Sequence, residues 1–304
     1  VSPPNRSTAE GRAYLDLQAR AKKDGRTTQE YLQLYCLEGF LSRLVASGHT
    51  EKLVLKGGVL LAAYALRRPT VDVDLAASNQ TNDAEDVRRL VADIAATPIT
   101  GEADDGLIYD SDGARAETIR EEDAYSGVRV TMRATLATAN LHFHVDVNVG
   151  DPISPAPVEV ELPKLLGGAI DLLGYPIPMV VAEKTVTAMQ RGTASTRWRD
   201  FGDLYQLTGT HAMTAGDVRS AIAEVARHRR VEPEPLGTLL DGYGSIGQAK
   251  YRAWRRRMAL DDRLPEDFGV LVDAICGFLD PLLDGDDLSD AATWESTNRA
   301  WKTP

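Results

Sequence analysis

Apolar residues recur along this chain with two different periods, and the change between them marks out its elements. Tyr31, Leu32, Leu34, Tyr35, Leu37, Phe40, Leu41 and Leu44 make a broad apolar face at near-helical spacing, and Gly48 marks a stop. The first fifty residues therefore read as helices. Residues 52–55 are a short apolar strand that ends in Gly57-Gly58, and residues 59–65 continue as a helix rich in Leu and Ala, broken by Pro69. Val71, Val73 and Leu75 then alternate with Asp72 and Asp74, the period of two expected of a half-buried strand. Helix returns over residues 87–95, and the Gly- and Asp-rich residues 99–115 read as loop. Two more strands are predicted over 128–135 and 141–149, the second with Leu141, Phe143, Val145, Val147 and Val149 on one face.

Residues 152–163 read as a connecting stretch, and the chain beyond is helical nearly to its end. Pro178 suits the first turn of a helix that runs to Arg191, residues 197–207 form another, and Thr214 with Asp217 resembles a capping box. Strands first and helices later imply an α+β fold with a helical C-terminal half. The expected division is residues 1–160, N-terminal helices plus sheet core, and residues 161–304, a mainly helical domain.

Composition narrows the class without naming it. The chain has 304 residues, 43% of them hydrophobic and 26% charged, as in ordinary globular proteins. No apolar run reaches the roughly 20 residues of a membrane span. The stretch Val1-Ser2-Pro3-Pro4-Asn5-Arg6 lacks the apolar centre of a secretory signal, so a cytoplasmic location is expected. Cys36 and Cys276, the two cysteines, sit in apolar helical patterns and read as buried reduced thiols. No His/Cys cluster has zinc spacing; His142 and His144 simply share a strand face. A net charge of -11 argues against indiscriminate coating of nucleic acid but leaves room for a local basic groove.

Candidate chemistry gathers around Asp72 and Asp74. One residue apart on a strand, their Cβ atoms leave the same face roughly 7 Å apart. Carboxylate oxygens bind magnesium at about 2 Å, so the pair can hold one ion and share a second at the ~4 Å spacing of two-metal phosphoryl-transfer sites. An edge strand showing its polar side is the plainer reading of such a pair. Lys56-Gly57-Gly58, after a strand and opening a helix, lets backbone approach phosphate closely, although such a Gly pair is also an ordinary turn. Asp146, on the polar face with His144 and Asn148, either completes the metal site and accepts a proton from an attacking hydroxyl or simply faces solvent.

Leu55-Lys56-Gly57-Gly58 followed by Arg68-Pro69-Thr70-Val71-Asp72-Val73-Asp74-Leu75 resembles the first motif of the AbiEii and MenT nucleotidyltransferase toxins, members of the DNA polymerase β-like superfamily. The segment from Leu37 to Leu44 is similar to that family's N-terminal helix. Ala182-Glu183-Lys184 and Arg199-Asp200-Phe201-Gly202-Asp203-Leu204 resemble its second half. These motifs span residues 31–208. The resemblance implies a polymerase-β-like core, a mixed sheet flanked by helices. It also implies two magnesium ions on Asp72, Asp74 and Asp146, and a nucleoside triphosphate held by Lys56, Gly57, Gly58, Thr70 and Lys184. One of Asp200 and Asp203 would act in the site, by orienting Lys184 or touching the nucleotide. Thr70 would contact a phosphate or serve as a modification point. An RNA acceptor, foremost the 3′ end of tRNA, a block of translation and a cognate antitoxin are implied as well.

The segment from Lys250 to Arg257 combines Lys250, Arg252, Arg255, Arg256 and Arg257 with Tyr251 and Trp254, a combination able to contact phosphates and stack on bases. Arg227 to Arg230 form a second basic cluster. An amphipathic helix with Trp254 in the core is the alternative. Transfer to a protein or small molecule, and an inactive fold that serves as a binding partner, are the competing functions.

Overall fold

The computed structural model describes residues 3–77, 82–121, 125–150, 152–284 and 288–303, so Val1 and Ser2 of the N-terminal stretch lie outside the described residues. The chain divides into two compact units, Val1–Asp151 with Val158–Gly174, and Pro152–Pro157 with Tyr175–Pro304.

The first unit begins with helices α1 (Ala9–Lys23) and α2 (Thr28–Ala46), whose N-caps Thr8 and Thr27 accept the N–H groups of Gly11 and Glu30. After a short 3-10 turn come strand β1 (Leu53–Lys56), the single turn α3 (Gly57–Leu60) and strand β2 (Asp72–Ala77). Helix α4 (Ala84–Ala96) is followed by β3 (Ile108–Tyr109), β4 (Arg115–Glu121), β5 (Tyr125–Leu136), β6 (Ala139–Val149), β7 (Val158–Pro163) and β8 (Ala169–Gly174). They make one mixed sheet in the order β3-β5-β6-β2-β1-β8-β7, with β4 also pairing β5. β2 runs parallel to β6 and β1 parallel to β8, while β1–β2 and β5–β6 are antiparallel.

Alternation decides which face is covered. Val73, Leu75, Leu141, Phe143, Val145 and Val147 are buried and share a face, which α2 and α4 pack upon. Phe40 of α2 meets Phe143 with ring centroids 5.8 Å apart. The motif helix α2 is also clamped by polar contacts. Glu38 accepts the Leu165 N–H at 2.9 Å and pairs with Arg67. Arg43 donates to the Asp105 carboxylate, Gly39 O and Leu107 O.

The second unit holds α5 (Ile177–Arg191), α6 (Trp198–Thr210), α7 (Ala215–Arg229), α8 (Leu236–Leu239), α9 (Tyr243–Arg257), α10 (Phe268–Leu283) and a hairpin of β9 (Thr293–Glu295) and β10 (Ala300–Lys302). Pro178 sits in the first turn of α5, and Thr214 caps α7 by accepting the Asp217 N–H. Trp198, Phe201, Tyr243, Tyr251 and Phe268 form its aromatic centre.

The α+β class stands, a mixed sheet flanked by helices followed by a helical part. Several elements differ from expectation. The helix expected over 59–65 closes after α3 into i→i+3 turns and stops at Ala65, whose φ is 60°. The loop expected over 99–115 carries β3 and the start of β4, short segments on the open side of the long β5, where an edge strand needs no apolar alternation. Residues 152–163 are not merely a connection, because β7 and β8 form a hairpin that buries Val160, Leu162, Ile170 and Leu172. That hairpin completes the sheet, so the first unit extends to Gly174 rather than ending at residue 160. Cys36 is buried as expected, but Cys276 is partly exposed. Among the described residues no helix is long and apolar enough to cross a membrane.

Candidate active site

Strand register sets a row of charges across the other face of the sheet. Lys56 pairs with Asp74, Asp74 with Asp146, and Asp146 with Arg129, so four neighbouring strands place cation, anion, anion and cation side by side. Adjacent strands are about 4.8 Å apart, and one pleat away Asp72 stands opposite His144. Burial pushes the Asp74 carboxyl up, to about 6; Asp146 and Asp72 add to the rise, against Lys56 and the Gly58 N–H. Asp146 is buried, and Arg129 grips both its oxygens, Nε to Oδ1 at 2.8 Å and Nη2 to Oδ2 at 2.6 Å. His144 Nδ1 lies 3.0 Å from the Thr131 hydroxyl.

The glycine pair folds around these side chains. Gly57 has a φ of +68°, and a Cβ there would overlap the Asp74 carboxylate. A Cβ on Gly58 would lie 3.0 Å from Thr70 Oγ1 and 3.1 Å from Arg68 Nη1. The separated segments Lys56-Gly57-Gly58 and Arg68-Pro69-Thr70-Val71-Asp72-Val73-Asp74 are thus one packed unit. The Gly58 N–H, expected to face a phosphate, is given to Asp74, and α3 has only four residues. Thr70 Oγ1 turns toward the Asp72 N–H at 3.5 Å.

Hard carboxylate oxygens are the donor chemistry a magnesium ion takes, and the repulsion of Asp74 by Asp146 and Asp72 is what a cation would relieve. Asp72 and Asp74 fit such an ion. Asp146 does not complete a three-carboxylate cluster as it stands, since its oxygens are turned to Arg129; among the described residues no group of three His, Cys, Asp or Glu side chains is placed to hold a metal.

In the second unit, Lys184 of α5 is buried. Its Nζ donates to Asp200 Oδ1 at 2.8 Å and Asp203 Oδ2 at 2.7 Å. Both aspartates therefore hold the lysine, where the sequence left the choice between them open. Arg197 pairs with the other oxygen of Asp200. Burial alone would raise the Asp200 carboxyl, but Lys184 and Arg197 override it and hold it well below the usual carboxylate range. Gly202 brings α6 against the ring of Trp254, 3.1 Å from the place a Cβ would occupy.

That contact corrects the expected stacking surface on α9. Tyr251 and Trp254 are core residues, Tyr251 stacked on Phe268 at 4.6 Å, so neither can receive a base. Arg255 is buried too, donating to Leu264 O, Asp261 Oδ1 and Asp261 O. Lys250, Arg252, Arg256 and Arg257 are exposed. In the second basic cluster, Arg229 turns inward to Glu183 and Thr187.

Sequence reasoning missed Arg129 and assigned no task to Arg68; local pairing of the α6 aspartates with Arg197, the plainer reading of their spacing, is found at Asp200. Arg129 carried a weak signal, an arginine on the polar parity of a predicted strand; the strand pairing that delivers it to Asp146 is not local.

Two crystal structures resemble the fold weakly, each 14% identical. One is JHP933 from Helicobacter pylori, with a TM-score of 0.47 over 82% of this chain and 93% of that one. The other is a candidate nucleotidyltransferase from H. pylori, with a TM-score of 0.44 over 82% and 96%. Among curated proteins none matches. The family described as nucleotidyl transferase AbiEii toxin, of type IV toxin–antitoxin systems, matches residues 39–274, which include the sheet row, the glycine pair and the Lys184 cluster. The chain belongs to the AbiEii nucleotidyl transferase toxin family.

Proposed function

We propose that this nucleotidyl transferase toxin is metal-dependent and moves a nucleoside monophosphate from its triphosphate to the 3′ end of an RNA, foremost tRNA, and so blocks translation. The observation that carries the reading is the crowding of Asp72, Asp74 and Asp146 beside the packed Lys56-Gly57-Gly58 and Arg68–Thr70 segments. Asp72 and Asp74 would hold magnesium, which when bound neutralises charge on the phosphates. The acceptor's 3′ oxygen attacks the α-phosphorus, the new O–P bond forms, the bond to the bridging oxygen breaks, and pyrophosphate leaves. Asp146, once free of Arg129, would complete the metal site as third ligand or take the hydroxyl proton. Lys56, Thr70 and the backbone of Gly57 and Gly58 would approach the triphosphate. Lys184, fixed by two carboxylates, is the further cation we assign to it, Asp200 and Asp203 being positioning residues. Catalysis of this kind is mainly placement and charge neutralisation.

Exposed Lys250, Arg252, Arg256 and Arg257 favour an RNA acceptor. The family implies a cognate antitoxin. Label transfer from each of four α-labelled nucleoside triphosphates to total tRNA with magnesium tests the whole reading. Label on tRNA is expected with wild type and is lost with Asp72→Ala and Lys184→Ala. Label on protein instead would reassign the acceptor, and no label anywhere would favour a binding role.

A further inference from the structure

Arg129 is the one member of the sheet row to which the reaction above gives no task. Its guanidinium lies in the sheet register, one strand beyond Asp146. It takes both carboxylate oxygens, and its charge is also felt by Asp72 and Glu117. An arginine stays charged under all protein conditions and matches a carboxylate with two parallel bonds. It is therefore a resident cation in a site read as binding divalent cations.

We propose that Arg129 is a positioning residue that holds Asp146 away from Asp72 and Asp74, competes with the divalent ion for it, and so keeps metal binding weak in the free protein. The inference rests on the metal reading of Asp72 and Asp74. Each oxygen of Asp146 keeps a second lone-pair direction, but the guanidinium fixes where the carboxylate points and offsets part of its charge. With Asp146 so held, Asp72 and Asp74 are the remaining carboxylates, and the free protein lacks its third ligand.

The test is Mn2+ binding without nucleotide, read from the loss of the free-ion paramagnetic signal and from the rise in melting temperature that Mn2+ produces. Arg129→Met should bind Mn2+ about tenfold or more tightly than wild type, since the unit positive charge bonded to Asp146 is removed. It should melt lower than wild type without metal, because a buried carboxylate has lost its partner, yet gain more from Mn2+. Arg129→Lys keeps the charge but not the fork, and should bind Mn2+ more tightly than wild type and less tightly than Arg129→Met. Adding Asp146→Asn to Arg129→Met should erase the tighter binding. A protein with a merely structural arginine would lose stability and gain no affinity; Mn2+ binding by Arg129→Met no tighter than wild type overturns the proposal. Where Arg129→Met fails to fold, equal or weaker binding by Arg129→Lys overturns it. Absence of Mn2+ binding in wild type and both variants would bring down the metal reading itself, and this inference with it.

Discussion

In the sheet unit, Asp74 and Asp146 stand on neighbouring strands with Asp72 one pleat away; in the helical unit, Asp200 and Asp203 stand one turn apart with an ammonium between them. The residues are the same and the outcomes are opposite. Burial and the two nearby carboxylates push Asp74 up, whereas at Asp200 Lys184 and Arg197 outweigh burial and push it down. One cluster is complete in itself. The other carries a carboxylate whose charge the fold resists, although Lys56 and Arg129 stand in the same row.

The largest way to break that contrast is to remove the cation from the complete cluster. Lys184→Met leaves Asp203 buried without its lysine and Asp200 with Arg197 alone, and should cost about 3–5 kcal/mol, the usual penalty for breaking one side of a buried ion pair. Urea denaturation of this variant beside Lys184→Met/Asp200→Asn/Asp203→Asn checks it, because the triple variant should regain most of the loss while remaining inactive. A Lys184→Met protein as stable as wild type would mean that the cluster is not held by charge.

Acid titration of stability should separate the two aspartates by sign. Asp200 has a depressed folded pKa, so its contribution is present above its unfolded value near 3.9 and is lost as pH falls through the lower folded one. Asp74 is raised to about 6, so the unfolded chain gives up that proton first, and stability declines as pH rises from about 4 to 6. Melting temperature against pH should therefore lose its Asp74 slope between 4 and 6 in Asp74→Asn, and lose part of its fall below pH 4 in Asp200→Asn. Curves parallel to wild type in both variants would refute the opposed shifts.

A smaller effect follows at neutral pH. Removing one of the crowded anions should stabilise the metal-free protein, so Asp74→Asn is expected to gain about 1 kcal/mol. That is less than a shift of about two pH units would give in full, because the bond from Gly58 is weakened in the variant. Calorimetry with and without magnesium checks both halves, since the same variant should lose the stabilisation that magnesium gives wild type. A loss of stability in Asp74→Asn without metal would show that the carboxylate is structurally satisfied.

How much of this could be read from the chain follows the range of the forces involved. Asp72, Asp74 and Asp146 announced themselves by strand parity, a local property, and the structure puts them on one face of one sheet. The bond from Arg129 to Asp146 depends on which strands pair and in what register, and nothing within a few residues of Arg129 states that. The β7–β8 hairpin had its alternation of Val158, Val160 and Leu162 with Glu159 and Glu161, but Pro152, Pro155, Pro157 and Pro163 hid it. On α9 the arginines allowed a base-stacking surface or an amphipathic helix with Trp254 in the core, and the second holds, with a buried stripe at helical spacing of Gly247, Tyr251, Trp254 and Arg255.

That stripe divides the arginines of α9 into two kinds, and the finest prediction separates them. Arg255→Ala removes three hydrogen bonds to the 261–264 turn and should cost about 2–3 kcal/mol, as for buried bonds to a charged group. Arg256→Glu and Arg257→Glu change exposed positions and should leave stability within about 0.5 kcal/mol. If this face meets RNA, each reversal weakens tRNA binding at low salt, and each lowers the dependence of log Kd on log salt by about one counterion. Filter binding across a salt series, beside urea melts of the same proteins, checks both. Unchanged salt slopes would move the RNA contact elsewhere, while a loss of fold in the exposed pair would mean that the whole helix, and not only its buried stripe, serves the core.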